Sequence, residues 1–459
     1  MIELPVSIFV GAIIVLIYLR YRNVFCLPFF WAAYFLFQYL GLLQLRARYG
    51  GNSYAYAAVA FGTFFLGLLA GDFLVRFSSG STRSKDGGLP AGRNPQEPAP
   101  KPGRQPRATR IKLLFPVLPL KVGLFVSLLA ATIVSFVFFS VEGFPILSSS
   151  PALAWVESTS GVVNRLMTVF GPGCYATLAL IAWAVHRESK SRAAKGMMYL
   201  GLGLAILAEA LLASKAAAIM IFFWFNMMLF YLNKKRELRK SLLPLLIVVV
   251  PISFAIVAVR LMSSQGYWQT GSVYQTFYER VTTISAQPVD FIFKYMNRFG
   301  PMHGEAMHRE VERIEDQLTG QRKTATLPEF VFDVMSSQST SISGMSATLT
   351  LYGLGYAEWG IGGLLLYSFL QGLIFGWIHR YLLRQETMNL VTLVLWGGIL
   401  SYVTAASLLG SILIGLEGIL LSTVPPFILL LPFCGFFMLP LARKYRTSAG
   451  KRVSRVPQE

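Results

Sequence analysis

Between Arg260 and Ser346 the chain gathers side chains able to hold an anion and to move a proton. Arg260, Arg280, Lys294, Arg298 and Arg309 supply cations, Glu279, Asp290 and Glu305 carboxylates, and His303 and His308 half of the 4 histidines. In the run RLMSSQGYWQTG, ten residues separate Arg260 from Gly271. A guanidinium at the outer end of a helix can pair with two phosphate oxygens at once, so Arg260 suits a diphosphate held at a membrane surface. Gly266 and Gly271 would let the backbone approach a sugar, and Tyr267 and Trp268 offer faces for stacking. The same residues also fit a plainer role, with Arg260 snorkelling to the interface and the rings in an aromatic belt. The residues alone leave both open. A histidine is a reasonable base for a sugar hydroxyl, His303 more than His308. The spacing in HGEAMH places two imidazoles on one helical face less well than a four-residue spacing would, and HExxH is absent, so no zinc site is expected. No P-loop, GxSxG or DxD pair occurs either, which argues against nucleotide hydrolysis and against a soluble sugar-nucleotide transferase.

The elements that must position these groups are set by composition. Hydrophobic residues make up 54% of the 459 and aromatic residues 14%, with a mean hydropathy of +0.55. That describes a polytopic membrane protein, not a soluble globule. A formal charge of +19 would suggest nucleic acid in a soluble chain. Here most Lys and Arg sit in short clusters at the ends of apolar runs, which the positive-inside rule explains without any nucleic acid. Cys26, Cys174 and Cys434 lie in apolar runs and read as small core residues.

Apolar runs of spanning length fall at 5–19, 24–45, 54–75, 122–141, 163–185, 196–212, 216–232, 242–259, 364–378, 390–406 and 425–441. The expectation is therefore an all-α bundle of about eleven membrane helices, within a range of roughly ten to thirteen. An apolar piece at 408–422, broken by glycines, is the main source of that range. The first run lacks the basic start and small-residue cleavage site of a signal peptide and is expected to stay as a span. The chain divides into helices at 1–77, a basic Ser/Gly/Pro-rich disordered linker at 78–112, helices at 113–259, a large polar loop at 260–346, helices at 347–442 and a basic tail at 443–459. Basic clusters after the first span and in the tail place the linker and C-terminus in the cytoplasm and the N-terminus and polar loop outside. Glu209 within an apolar run needs a partner or a polar cavity. Arg165 and Lys215, on the same side, are its expected companions in a cavity opening beneath the loop. Residues 308–318 have the pattern of an amphipathic helix lying over the bundle. No internal repeat is evident, which weighs against a transporter.

The Arg260-to-Gly271 spacing, the turn at Ser214-Lys215 and the run GYAEWGIGGLLLYSFLQGLIFG together resemble the oligosaccharide repeat-unit (O-antigen) polymerases of the Wzy type, over roughly 196–384. The resemblance implies a GT-C-like glycosyltransferase of the bacterial inner membrane. It would move a growing glycan from undecaprenyl diphosphate to the next lipid-linked repeat unit on the periplasmic face, with no obligatory metal or nucleotide. It further implies Arg260 and Lys215 at the diphosphate, with Arg165, Arg280 and Arg298 as added anion contacts and His303 or Glu305 as base. Tyr267, Trp268, Gly271 and Glu209 would face the substrate, and a chain-length regulator and a flippase would be partners. The family's second arginine-to-glycine spacing is not seen at 142–161. An O-antigen ligase, a lipid-linked oligosaccharide flippase and a non-catalytic scaffold are the rival expectations.

Overall fold

The computed structural model describes residues 3–85, 108–113, 115–147, 169–212, 215–234, 285–319, 325–336 and 348–413, with short pieces elsewhere. Described structure is helical apart from a ladder of two short strands, β1 (Arg110–Lys112) and β2 (Thr387–Asn389). In order, the helices are α1 (Glu3–Tyr21), α2 (Leu27–Tyr49), α3 (Ser53–Lys85), α4 (Val117–Glu142), α5 (Pro172–Ser189), α6 (Arg192–Leu211) and α7 (Lys215–Asn233). They continue as α8 (Ser285–Phe299), α9 (Glu305–Thr319), α10 (Leu327–Ser336), α11 (Thr350–Arg384) and α12 (Leu390–Leu409). Among the described residues 6 helices are long and apolar enough to cross a membrane: α1, α3, α4, α6, α11 and α12. That is fewer than the eleven spans expected, and the runs at 242–259 and 425–441 lie mostly outside the described residues. Helix α3 continues to Lys85, past the expected start of the linker at 78.

Two compact units share the chain. The first comprises Met1–Arg110, Asn226–Glu386 and Leu400–Glu417. Its centre is the pair α3 and α11, which approach through reciprocal small-residue spacings. A methyl group at Gly67 or Gly71 would run into the carbonyls of Phe369 or Leu373, and one at Gly372 or Gly376 into those of Phe64 or Leu68. Helices in lipid associate by van der Waals contact, so backbones that can touch are what hold them together. Around this seam Phe35 and Phe61 stack at 4.1 Å, and Phe64 meets Phe375 edge-on at 5.7 Å. Gly71→Leu should therefore destabilise the detergent-solubilised protein by about 3 kcal/mol, the upper end for overpacking, because the obstacle is backbone and cannot rotate away. Gly203→Leu, where an added Cβ meets nothing within 4 Å, is the control, and equal unfolding midpoints for the two would refute the seam.

At one end of this unit, α1, α3 and α11 converge on a buried carboxylate. Asp72 Oδ2 accepts from Arg20 Nη2 at 2.6 Å and Nε at 2.9 Å, and Arg380 Nε stands 3.1 Å from Oδ1. Beside it the Tyr231 hydroxyl accepts from Leu27 N at 3.1 Å and lies 3.0 Å from His379 Nδ1. At the opposite end, Arg46 in the last turn of α2 pairs with Glu3 at 2.9 Å and covers the Tyr54 ring.

The described residues of the polar stretch 260–346 include three helices, and α8 is part of the packed core of the unit. Ala286, Val289, Ile292, Phe293 and Met296 are buried at helical spacing. Pro288 falls in the first turn, where its missing N–H costs nothing.

The second unit comprises Ile111–Phe225, Thr387–Ile399 and Gly418–Glu459. Helix α5 is its axis, buried from Cys174 to Val185 on every side, as expected of a helix apolar all round. Gly201 of α6 lets that helix press on Ala179 and the Tyr175 carbonyl, and the Tyr175 hydroxyl lies 3.0 Å from Ser135 Oγ of α4. Lys190, in the left-handed conformation at φ 54°, turns the chain from α5 into α6.

Candidate active site at the bend of α11

The glycine-rich stretch before the span is a sharp bend. Trp359 (φ −137°, ψ 25°) and Gly360 (φ 61°, ψ −141°) leave the helical region, and the second conformation is one that glycine alone adopts without strain. Gly355 and Gly363 fold against each other so closely that a Cβ on either would overlap the other's carbonyl. Such a bend leaves carbonyls without helical partners. Those of Ala357 and Glu358 accept instead from Met302 N at 2.8 Å and His303 N at 2.9 Å. His303 takes a left-handed conformation (φ 52°), Gly304 follows at φ 99°, and α9 begins at Glu305.

The buried Glu358 carboxylate locks this junction. It accepts from Gly304 N and, at 2.8 Å, from Met307 N, so it fills the open donors of the first turn of α9 and sits at the positive end of the helix dipole. One helical step further, the buried Glu310 accepts from Ile412 N and Leu413 N at 3.1 and 2.8 Å. Burial pushes the Glu310 carboxyl above the usual carboxylate range, against the pull of those backbone donors.

Next to the junction lies a cleft of about 540 Å³. Its walls are the end of α2 (Tyr49), the outward face of α8 (Asp290, Lys294, Tyr295, Arg298, Phe299) and α10 (Val334, Met335). Thr326 and Glu329 form a capping box that starts α10, Glu329 accepting from Thr326 N at 2.9 Å and from Arg313 at 2.9 Å. Asp290 holds Lys294 at 2.7 Å and accepts from Ser53 at 2.5 Å. Arg298 lies over the Phe299 ring at 5.3 Å and has no carboxylate partner among the described residues. Two cations against one carboxylate leave the cleft net positive, and its rings supply apolar faces. An anion carried on a carbohydrate matches both features.

Of the residues picked out in the sequence, Arg298 lines this cleft and His303 follows Phe299 within about 14 Å of extended chain. The His303 side chain is exposed. Glu305 opens α9 in an exposed ion pair with Arg309 at 3.2 Å. Glu209 is half-buried in the last turn of α6, and Lys215 opens α7. Arg165, Arg260, Tyr267, Trp268, Gly271 and Arg280 lie outside the described residues, so the cavity of Arg165, Glu209 and Lys215 does too. No group of three or more His, Cys, Asp or Glu able to hold a metal occurs among the described residues. Asp72, Glu310 and Glu358 are not among the residues that the sequence singles out. The signal that singled out Glu209, a carboxylate within or beside an apolar run, applies equally to Asp72 and Glu358.

Neither the curated proteins nor the solved structures contain a match to the chain. A family model described as "Putative O-antigen polymerase" matches residues 119–406, more than half of the chain and including α11 with its bend. The chain belongs to the O-antigen polymerase family.

Proposed function

We propose that this membrane protein is a glycosyltransferase that polymerises undecaprenyl-diphosphate-linked oligosaccharide repeat units on the periplasmic face of the bacterial inner membrane. The observation that carries the reading is the net-positive, ring-lined cleft beside the α11 bend, in a chain of the polymerase family. In this reading the cleft faces the periplasm and the Asp72 end the cytoplasm, as the basic clusters require. The acceptor hydroxyl attacks the anomeric carbon of the growing glycan. The bond from that carbon to the diphosphate oxygen breaks, and the lipid diphosphate leaves with the electron pair. Arg260 and Lys215, with Arg165, Arg280 and Arg298 around them, offset the charge that develops on the leaving group. The hydroxyl proton goes to His303, with Glu305 the alternative base. The Arg309 ion pair favours His303, whose imidazole makes no hydrogen bond to a described residue. Tyr267, Trp268, Gly271 and Glu209 face the sugars, and a chain-length regulator and flippase complete the system.

The test is polymerisation by the purified protein of a synthetic lipid-diphosphate repeat unit, with no nucleotide added. A ladder of lengthening products is expected from the wild type and none from Arg260→Ala, inserted normally. A wild-type ladder from that variant would remove the diphosphate role of Arg260, and no ladder from the wild type would remove the reading itself.

A further inference from the structure

Helix α9 carries three kinds of face. Ala306 and Glu310 point into the protein, Glu310 being 2% exposed. Glu305, His308 and Glu312 form an exposed charged face, with His308 and Glu312 paired at 3.1 Å. Between them runs Met307, Val311 and Ile314, at spacings of four and three, and here Val311 is 45% and Ile314 38% exposed. An isolated helix on a water-soluble surface would turn that row inward and Glu310 outward. Here the carboxylate is inside and the apolar row outside, opposite to the sequence expectation of a helix whose apolar residues cover the bundle.

The level of α9 along the span supplies the reason. From Gly360 at the bend to Arg380 the second limb of α11 rises about 30 Å, the thickness of a bilayer's hydrocarbon core. Glu310 accepts from Ile412 N and Leu413 N, just past the end of α12, whose 20 residues also rise about 30 Å. Glu358, just before the bend, holds the other end of the first turns of α9. The first turns of α9 thus lie at the level of the bend and of the end of α12, where the spanning surface of α11 begins with the exposed apolar residues Ile361, Leu365 and Leu366. At that level an exposed apolar row meets acyl chains, and a charged face stays on the water side. A helix lying in the bilayer interface buries its apolar face about 5–10 Å deep.

We infer that α9 is an interfacial helix whose Met307–Val311–Ile314 row contacts the acyl chains of the leaflet on the His303 side, so that the junction at Glu358 sits at the membrane surface. Bilayer lipid is the occupant because the row lies at the level where the spans α11 and α12 end and is bordered on one flank by charge. Activity plays no part in the test. Nitroxide labels at Val311→Cys, Ile314→Cys, His308→Cys and Glu312→Cys, in a Cys434→Ser background with Cys26 and Cys174 buried, are placed in phosphatidylethanolamine/phosphatidylglycerol liposomes. Labels at 311 and 314 should collide with oxygen in several-fold excess over a water-soluble nickel chelate, and labels at 308 and 312 the reverse. Equal nickel access at 311 and 308 would overturn the inference, as would labels at 311 and 314 shielded from both reagents, which would mean a protein covers the row. If the cysteine variants fail to fold, a diazirine in the acyl chain of phosphatidylglycerol should label residues 307–314 of the wild type. Absence of label there would also overturn it.

Discussion

Asp72→Ala is expected to lower the stability of the purified protein by about 3 kcal/mol, seen as a fall in the unfolding midpoint in detergent or in nanodiscs. Breaking a buried ion pair by removing one partner costs ~3–5 kcal/mol, since it leaves the other charge uncompensated. Two arginines are left here, Arg20 and Arg380. Their side chains are 32% and 28% exposed and can turn partly toward the headgroups, which places the loss at the lower end. Asp72→Asn, which keeps an acceptor for Arg20 without the charge, should fall between. The carboxylate joins α1, α3 and α11 at a single point, so the loss should appear as global unfolding, not fraying of α1 alone. Wild-type stability in the alanine variant would mean that Asp72 is held by the bundle instead of holding it.

Glu358→Ala should nearly abolish polymerisation while costing about 3 kcal/mol. Each backbone N–H stripped of its partner in a buried place costs ~1–3 kcal/mol, and Gly304 and Met307 both lose theirs. The first turn of α9 also loses the anion at its positive end. Because His303 and Glu305 flank that turn, their displacement by about 1 Å is enough for a loss on the order of 100-fold in rate. Glu358 touches no substrate in this arrangement; it is a positioning residue. Glu358→Gln, able to accept at least one of the two N–H groups, should therefore recover much of the product ladder, which a residue needed for its charge at the reacting atoms would not allow. Equal loss in both variants would shift Glu358 from positioning into the chemistry. An unaltered ladder in the alanine variant would sink the role altogether.

The sequence by itself determined that this is a helical membrane protein, because long uncharged runs have no other stable home than lipid. It also placed an amphipathic helix at 308–318, and marked the glycine-rich entry to the span at 364, where the structure has its bend. Residues of the polymerase type were legible there too. What the sequence could not decide is which polar residues face one another. Counting charges made 260–346 look like one polar loop, whereas Ala286, Val289, Phe293 and Met296 bury one side of α8 in the core. A helix with one apolar face and one charged face averages to a loop-like composition, and only the neighbour it packs against reveals the difference.

Tertiary structure alone set the orientation of α9. Glu310 turns inward because Ile412 and Leu413 offer it N–H groups, and those residues lie a hundred positions away. It alone, too, brought Asp72 between Arg20 and Arg380, since the glycines of α3 and α11 bring their backbones together and fix the register of the two helices. Local spacing fixes where a side chain sits on its own helix, but a buried charge is tolerable only where another segment supplies its partner.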